Sequence, residues 1–327
     1  MFLNKHIKKR SPKVQEFPTK NLKYTKGLDT IFPKISHKQK GAAKILIILV
    51  LPVLLGFAAI VIDAGTLYLN KRQLQTMADA GALAGAQDLP GNTSQAKITG
   101  KNYAIKNGTT TDTVTPTLVG TSNNSLKVEV SRDVNRIFSL IFGASPTTVK
   151  ASATATVFPA EGARGVIPIG IVDKTLTYSD EVTMKYGGGG GCWGNYGALA
   201  LGGVGAAVYE PNLKNGYSGT LTRGQSVPTE PGAMTGPTLQ GLIDRIASDP
   251  SATYDTVKPT SQRLVIVPLI DEFHHGRTSV TITNFAVFFI KSVHGGKITG
   301  NFIEMVSGDA IPGSGPSKGL YAVKLTE

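Results

Sequence analysis

Hydrophobic residues are concentrated in one uninterrupted run near the N-terminus. Residues 45–62 read ILIILVLPVLLGFAAIVI and contain no charged residue, while Lys44 and Asp63 bracket them. As a helix rising about 1.5 Å per residue, this run would be about 27 Å long, close to the roughly 30 Å hydrocarbon core of a bilayer. Pro52 is tolerated in membrane helices, where neighbouring groups can satisfy the freed carbonyl. The pattern predicts a transmembrane helix, and a buried core helix is the alternative.

The helical pattern continues beyond the apolar run, over 63–89. Leu67, Leu74 and Met77 recur at helix-compatible spacing, and the Pro-Gly pair at 90–91 is a sound terminator. We therefore expect the transmembrane helix to extend outward from the bilayer as one continuous element.

Small residues dominate the end of this extension. From Ala78 to Ala86 every residue except Asp79 and Leu83 is Ala or Gly. Such a smooth surface allows another backbone to approach closely. The candidate helix-packing interface consists of Ala78, Gly81, Ala82 and Gly85. It could serve either a helix of the same domain or a helix of a partner subunit.

Shorter periodic patterns predict a small α+β module over 92–159. The first expected element is a helix capped by Ser94 and ending at Asn107-Gly108, followed by strands over 114–119 and 125–131. A second helix is then expected, and a strand over 149–157 follows it. The apolar face of that second helix would hold Val134, Ile137, Phe138, Ile141 and Phe142. Each element is short, so the module would need several of them to bury a core.

The remainder, 160–327, is expected to be a β-rich domain. Its strand candidates are 165–172, 176–186, 263–270, 279–293 and 297–306. Phe285 to Ile290 is continuously apolar and should be central, whereas Pro268 indicates an edge strand or a bulge. An insertion over 187–259 is rich in Gly, Asn, Pro and Ser, with little regular structure expected beyond a helix near 239–247. The expected fold class is α+β.

Positive charge is concentrated before the apolar run. Residues 1–44 hold 12 Lys and Arg against Glu16 and Asp29, so they carry +10 and leave 12 − 10 = +2 for the rest of the chain. Because Lys and Arg keep their flank of a span in the cytoplasm, we expect a cytoplasmic N-terminus and an extracytoplasmic C-terminal bulk. The tail itself, 1–44, lacks periodicity and should be a disordered arm on the lipid bilayer.

The charged flanks allow other interpretations of the apolar run and of its partners. A cleaved signal peptide would need an unusually long basic region of 44 residues, so an uncleaved anchor is favoured. The nearly neutral outer part disfavours nucleic acid as a partner. Asp63, at the outer end of the run, could be hydrated at the membrane interface or could pair with a basic group of a neighbouring span.

Candidate catalytic chemistry is sparse. Cys192 is the single cysteine, so the chain has no intramolecular disulfide. The run 271–275, Asp-Glu-Phe-His-His, together with His294, could bind a metal or act in acid–base chemistry, but a solvated loop explains it equally well. The sequence Gly-Val-Gly-Ala-Ala at 203–207 lacks the third glycine of a dinucleotide fingerprint. We expect no catalysis, no metal and no cofactor.

A glycine-rich stretch supplies a candidate contact with a partner. Five consecutive glycines at 187–191 precede Cys192 and Trp193, and Tyr196 follows shortly after. Glycines give conformational freedom, while Trp193 and Tyr196 would add aromatic surface. The stretch is interpreted as a loop that contacts a partner or a wall polymer, with a merely flexible loop as the alternative.

The sequence from Gly41 to Gln87 resembles the N-terminal segment of TadE-like and TadG-like proteins of the Tad (Flp) pilus system. The similarity includes the glycine before the span, Pro52 within it, Asp63 at its outer edge and the closing Ala-Asp-Ala-Gly-Ala-Leu-Ala-Gly-Ala. The resemblance implies a membrane anchor with an extracytoplasmic domain that acts in pilus assembly or anchoring. Its implied partners are other Tad assembly proteins or pilin subunits.

Two departures favour the TadG side of this resemblance. Leu46 stands where pseudopilins similar to prepilins have Glu, and no Asp-x-Ser-x-Ser metal motif occurs in the chain. The expected function is structural or assembly-related, without catalysis. The alternatives are a membrane-anchored adhesion protein, or an anchored hydrolase that uses His274, His275 or Cys192.

Overall fold

The computed structural model describes residues 40–326 except 139–142, 144, 179, 186–195, 231, 233 and 274–277. The chain divides after Phe57 into two units. In the first unit the described residues all belong to helix α1. The second unit contains the remainder of α1, three further helices and two β-sheets. This α+β architecture confirms the predicted fold class.

Four α-helices lie in the described part of the chain. They are α1 Lys40–Ala86, α2 Thr93–Lys106, α3 Ala206–Asn215 and α4 Thr235–Ser248. The apolar run and its predicted extension form α1, with Pro52 inside it. Its most apolar 18-residue window has a mean hydropathy of 3.2 and no buried residue. Since length and composition suit a bilayer, α1 is a candidate membrane span.

The strands form two sheets. They are β1 Thr113–Val119, β2 Ser125–Val134, β3 Thr147–Ala163, β4 Ile169–Val172, β5 Glu181–Lys185, β6 Tyr196–Ala198, β7 Leu221–Thr222, β8 Ser226–Pro228, β9 Leu264–Ile270, β10 Ser279–His294, β11 Lys297–Ile303, β12 Met305–Val306, β13 Ala310–Pro312 and β14 Leu320–Leu325. The first sheet has the order β1-β2-β3-β14-β12, and β7 and β13 also pair with β3. The second has the order β5-β11-β10-β9-β4-β6, and β8 also pairs with β10.

The first sheet carries one apolar face against α1 and α2. The predicted hairpin is confirmed, because β1 and β2 pair antiparallel from Thr113↔Ser131 to Val119↔Ser125. On β2 the inward residues Leu126, Val128 and Val130 are at most 1% exposed. The domain boundary predicted between residues 159 and 160 falls within β3. The strand β14, near the C-terminus, pairs with β3. The sheet is thus completed by residues distant in sequence.

The second sheet is built around β10. Phe285 to Ile290 are all buried, and β10 lies between β9 and β11, as predicted for a continuously apolar strand. The expectation of an edge position for Pro268 is wrong, because β9 has β10 on one side and β4 on the other. The irregularity lies instead in the pairing between β9 and β10, where the register of β10 shifts between Ile282 and Asn284.

Local predictions around the first sheet need two corrections. Val134 does not start a helix as predicted, because it is the last residue of β2 and pairs with Thr147 of β3. Ile137 and Phe138 follow in a turn, and 139–142 lie outside the described residues. Helix α2 is capped by Asn92 rather than Ser94, since the Asn92 side chain accepts a 2.9 Å hydrogen bond from the Gln95 amide.

The predicted insertion contains more regular structure than expected. It includes α3 and α4 and the short strands β6, β7 and β8. Helix α3 begins after Gly205, whose N–H lies 3.0 Å from both carboxylate oxygens of Glu230. A carboxylate at a helix N-terminus is favoured by the partial positive charge there. The Glu230 carboxylate is thus the hydrogen-bond acceptor of the Gly205 backbone amide, which precedes α3.

Buried arginines order the connections around α4. Arg245 is 6% exposed and donates to the carbonyl oxygens of Leu213 and Gln262, each at 2.7 Å. Burial lowers the pKa of Arg245 to about 10, so its charge is retained at neutral pH. Arg263 donates to the Ile290 carbonyl oxygen at 2.9 Å. Arg245 thus links α4 to the end of α3, and Arg263 links the residue before β9 to β10.

Candidate functional site

The outer half of α1 presents one continuous stripe to the rest of its unit. Residues three and four positions apart lie on the same helix face. The members of this stripe are Asp63, Leu67, Asn70, Leu74, Met77, Ala78, Gly81, Ala82 and Gly85. Leu74, Met77, Ala78 and Ala82 are fully buried in the core beneath the first sheet. The same helix therefore has an exposed apolar half and a half that belongs to a folded core.

Small residues bring α1 into backbone contact with α2. A Cβ atom at Gly81 would lie 2.7 Å from the Gly100 carbonyl oxygen, and one at Gly85 would lie 2.5 Å from the Ala96 carbonyl oxygen. Both distances are too short for a real side chain. Gly81 and Gly85, two of the four residues predicted as a packing interface, thus contact α2 of the same chain, and Ala78 and Ala82 are buried in the same core. Of the two alternatives left open by the sequence, the structure shows the intramolecular one.

Replacing Gly85 by Ala should force α1 and α2 apart. We expect Gly85→Ala to lower the free energy of unfolding of the detergent-solubilised full chain by about 1–3 kcal/mol, as overpacking typically does. The matched control is Gly65→Ala in the same helix, because nothing lies within 4 Å of a Cβ there. That control should be neutral or stabilising by up to about 1 kcal/mol, given the higher helix propensity of Ala. Equal effects at both positions in urea titrations would contradict the close packing.

An arginine clamp joins α1 to the first sheet. Arg132 of β2 donates from Nε and Nη2 to the two oxygens of Asp112, at 2.6 and 2.7 Å. Its Nη1 donates to Asn70 Oδ1 at 2.8 Å and Gln73 Oε1 at 2.7 Å. One guanidinium thus binds the start of β1 and two successive turns of the helix. The hydrogen bond from Arg132 holds the pKa of Asp112 below its usual value, although burial opposes this.

Further polar contacts secure the same helix. Lys71 donates from Nζ to the Lys150 carbonyl oxygen, and Gln75 donates from Nε2 to the Ser152 carbonyl oxygen at 3.0 Å. Both acceptors belong to β3. Side chains on successive turns of α1 therefore contact β3 as well as β2.

The clamp predicts an acid-sensitive contribution to stability. Because the folded pKa of Asp112 is lowered, the contribution is present above the unfolded carboxyl pKa of about 3.9 and is lost as the pH falls through the folded value. We expect Asp112→Asn to lower the free energy of unfolding at neutral pH by about 2 kcal/mol and to reduce its dependence on acid pH.

Asp133→Asn is the matched control, because Asp133 is exposed and accepts from the Thr148 hydroxyl rather than from an arginine. Its effect should stay within about 0.5 kcal/mol. Unfolding measured from pH 7 to pH 3 would argue against the clamp if the wild type and Asp112→Asn lost stability in parallel.

Asp63 is held by its own chain. It is 7% exposed, and one carboxylate oxygen accepts a 3.1 Å hydrogen bond from the backbone N–H of Phe138. This burial contradicts the expectation that Asp63 is hydrated at the interface, and its pairing with a neighbouring span stays a prediction. The bond places the turn at Ile137-Phe138 beside the last turn of the apolar run.

The predicted partner-contact residues do not form one exposed site in the described chain. Tyr196 lies in β6, pairs with Ile171 of β4 and is only 4% exposed within the second sheet's core. The expectation that its ring forms a contact surface is therefore wrong. Trp193 and the five glycines at 187–191 lie outside the described residues.

The candidate metal and catalytic groups receive little support. Asp271 accepts a 2.9 Å hydrogen bond from the Thr281 amide, and Phe273 packs against Gly197. His274, His275 and Cys192 lie outside the described residues. Among the residues that are described, no group of three or more His, Cys, Asp and Glu could hold a metal ion.

Sequence reasoning missed the residues that fix α1. Arg132 and Asp112 are separated by twenty positions, and nothing local marks them as partners. The only signal was the polar pair Asn70 and Gln73 on an otherwise apolar helix face. Glu230 was missed for the same reason, since its partner Gly205 lies 25 positions away.

Comparison with known proteins identifies the helix. Residues 41–88 match the family model described as Putative Flp pilus-assembly TadE/G-like. The matched TadE/G-like segment coincides with α1 and confirms the resemblance seen in the sequence. Neither curated proteins nor solved structures gave a match to the chain.

Proposed function

We propose that this chain is a membrane-anchored, extracytoplasmic component of a Tad/Flp-type pilus assembly system, with a structural or assembly role and no catalysis. The observation that carries the proposal is the coincidence of the TadE/G-like segment with α1. The family supports a pilus-assembly role. Its matched segment includes both the exposed apolar run and the stripe packed into the folded unit.

The anchoring role is supported by exposure and length. Apolar residues that would be costly to leave in water are exposed along the run, as Ile48 at 68% and Val61 at 70% illustrate. A run of 18 such residues can cross a bilayer as a helix. The +10 charge of residues 1–44 favours a cytoplasmic N-terminus and an extracytoplasmic position for the sheets.

The packing of the outer half of α1 supports a structural role. Its small-residue stripe is filled by α2, and Arg132 fixes it to the first sheet. The outer half of α1 is thus part of the folded unit rather than a free helix. Partner proteins of the pilus system would then bind the apolar run within the bilayer or another surface of the domain. Trp193 remains a candidate for that second contact.

One labelling and capture experiment tests both orientation and partners. Cys192 is the only cysteine, so a membrane-impermeant biotin-maleimide applied to intact cells reports its side of the membrane. We expect labelling before lysis, followed by capture in mild detergent of the secretion ATPase, platform proteins or pilin of the Tad system. Cys192→Ser is the control and should give neither label nor capture.

This experiment can contradict the proposed orientation and the proposed pilus role independently of each other. Labelling that requires lysis but no denaturant would overturn the orientation. A labelled protein that retains no Tad component, while remaining in the membrane fraction, would overturn the pilus role. Denatured protein serves as the measure of full labelling.

A further inference from the structure

The outer boundary of the apolar run is marked by a contact between α1 and a turn. Ile62 ends the run, and Asp63 accepts the hydrogen bond from Phe138 N–H. The turn at Ile137-Phe138 therefore lies at the same level along the helix as the polar end of the candidate span. Whatever environment surrounds Ile62 also lies next to this turn.

Apolar side chains are exposed at this level on the turn and just beyond it on the helix. Ile137 is 59% exposed, and Tyr68 and Leu69 of α1 are 61% and 67% exposed. At 1.5 Å per residue, Tyr68 lies about 9 Å beyond Ile62. Helical side chains tilt toward the N-terminus, which here is the membrane side, so the Tyr68 ring leans back toward the bilayer. This is the depth of the headgroup layer, where Tyr is enriched.

The three side chains lie on different sides of α1. Asp63 faces the folded unit, and Ile137 lies on the same side of α1 because the next residue, Phe138, donates to Asp63. Tyr68 and Leu69 follow Asp63 by five and six positions, which at about 100° per residue turns them to the far side of the helix. A single protein partner would cover one of these sides. A bilayer surrounds the helix and reaches both.

Lys and Arg side chains lie near these exposed apolar side chains in the sequence. The Arg72 guanidinium lies 6.0 Å from the centre of the Tyr68 ring, and Lys71, at the preceding position, is exposed while its Nζ donates to the Lys150 carbonyl oxygen. Arg136, beside Ile137, donates to the Ser145 carbonyl oxygen at 3.2 Å. Apolar tips flanked by Lys and Arg are typical of segments that lie at a membrane surface.

We propose that Ile137, Tyr68 and Leu69 form a collar that contacts the outer leaflet of the bilayer at the boundary between headgroups and acyl chains. The collar rests on the proposed membrane anchoring but not on the pilus role. It gives the extracytoplasmic unit a second attachment to the membrane beside α1.

Depth-dependent fluorescence quenching in nanodiscs tests the collar on the full chain. Trp193→Phe removes the only tryptophan, and Ile137→Trp then places a reporter at an already exposed position. Ile98→Trp is the matched control, because Ile98 is 53% exposed on α2. The contacts of α2 with Gly81 and Gly85 place Ile98 about 30 Å beyond Ile62 along α1.

The expected result is quenching at one position only. With lipids brominated near the headgroup, Ile137→Trp should lose about half of its emission, since interfacial side chains lie about 5–10 Å deep, and Ile98→Trp should lose none. An unquenched Ile137→Trp in chains that co-elute with nanodiscs would overturn the collar and leave the proposed function intact. Equal quenching at both positions would also overturn it. Chains that do not enter nanodiscs would overturn the anchoring and the collar together.

Discussion

Backbone contact between α1 and α2 is the constraint on which the rest of the outer unit depends. Gly81 and Gly85 bring α1 so close to Gly100 and Ala96 that no side chain fits between the helices. Dispersion contacts and the exclusion of water along this seam favour association without any large side chain. The paired helices then cover the apolar face of the first sheet, where Leu126 and Val128 are fully buried.

One helix must therefore suit two environments. Over 45–62 it is apolar on every side, as a lipid-facing helix must be, and every charged residue is excluded. Beyond Asp63 only one stripe is buried, and polar groups such as Lys71 and Gln75 appear on the flanks. The change from an apolar surface on every side to a single buried stripe with polar flanks occurs within one helical turn. Asp63 and Arg132 fix the helix in this region through hydrogen bonds to the chain's own backbone and side chains.

The parts of the fold that sequence predicted are those encoded locally. The apolar run, the hairpin of β1 and β2 and the central strand β10 each show their period or length within a few residues. The parts that it missed depend on distant partners. Val134 was predicted to start a helix but ends β2, because Thr147 pairs with it, and the amide that precedes α3 has its acceptor, Glu230, 25 positions away. Tyr196 was expected on a loop surface, yet pairing with β4 buries it.

The central claim is that the outer half of α1 is part of the folded core and not a helix held ready for another subunit. Hydrogen exchange of the full chain in detergent micelles tests this most directly, because amides that open together exchange with the same free energy. The amides of residues 74–86 should exchange as slowly as those of β2 and respond equally to added denaturant. Exchange of 74–86 as an independently opening helix, while β2 stays protected, would contradict it.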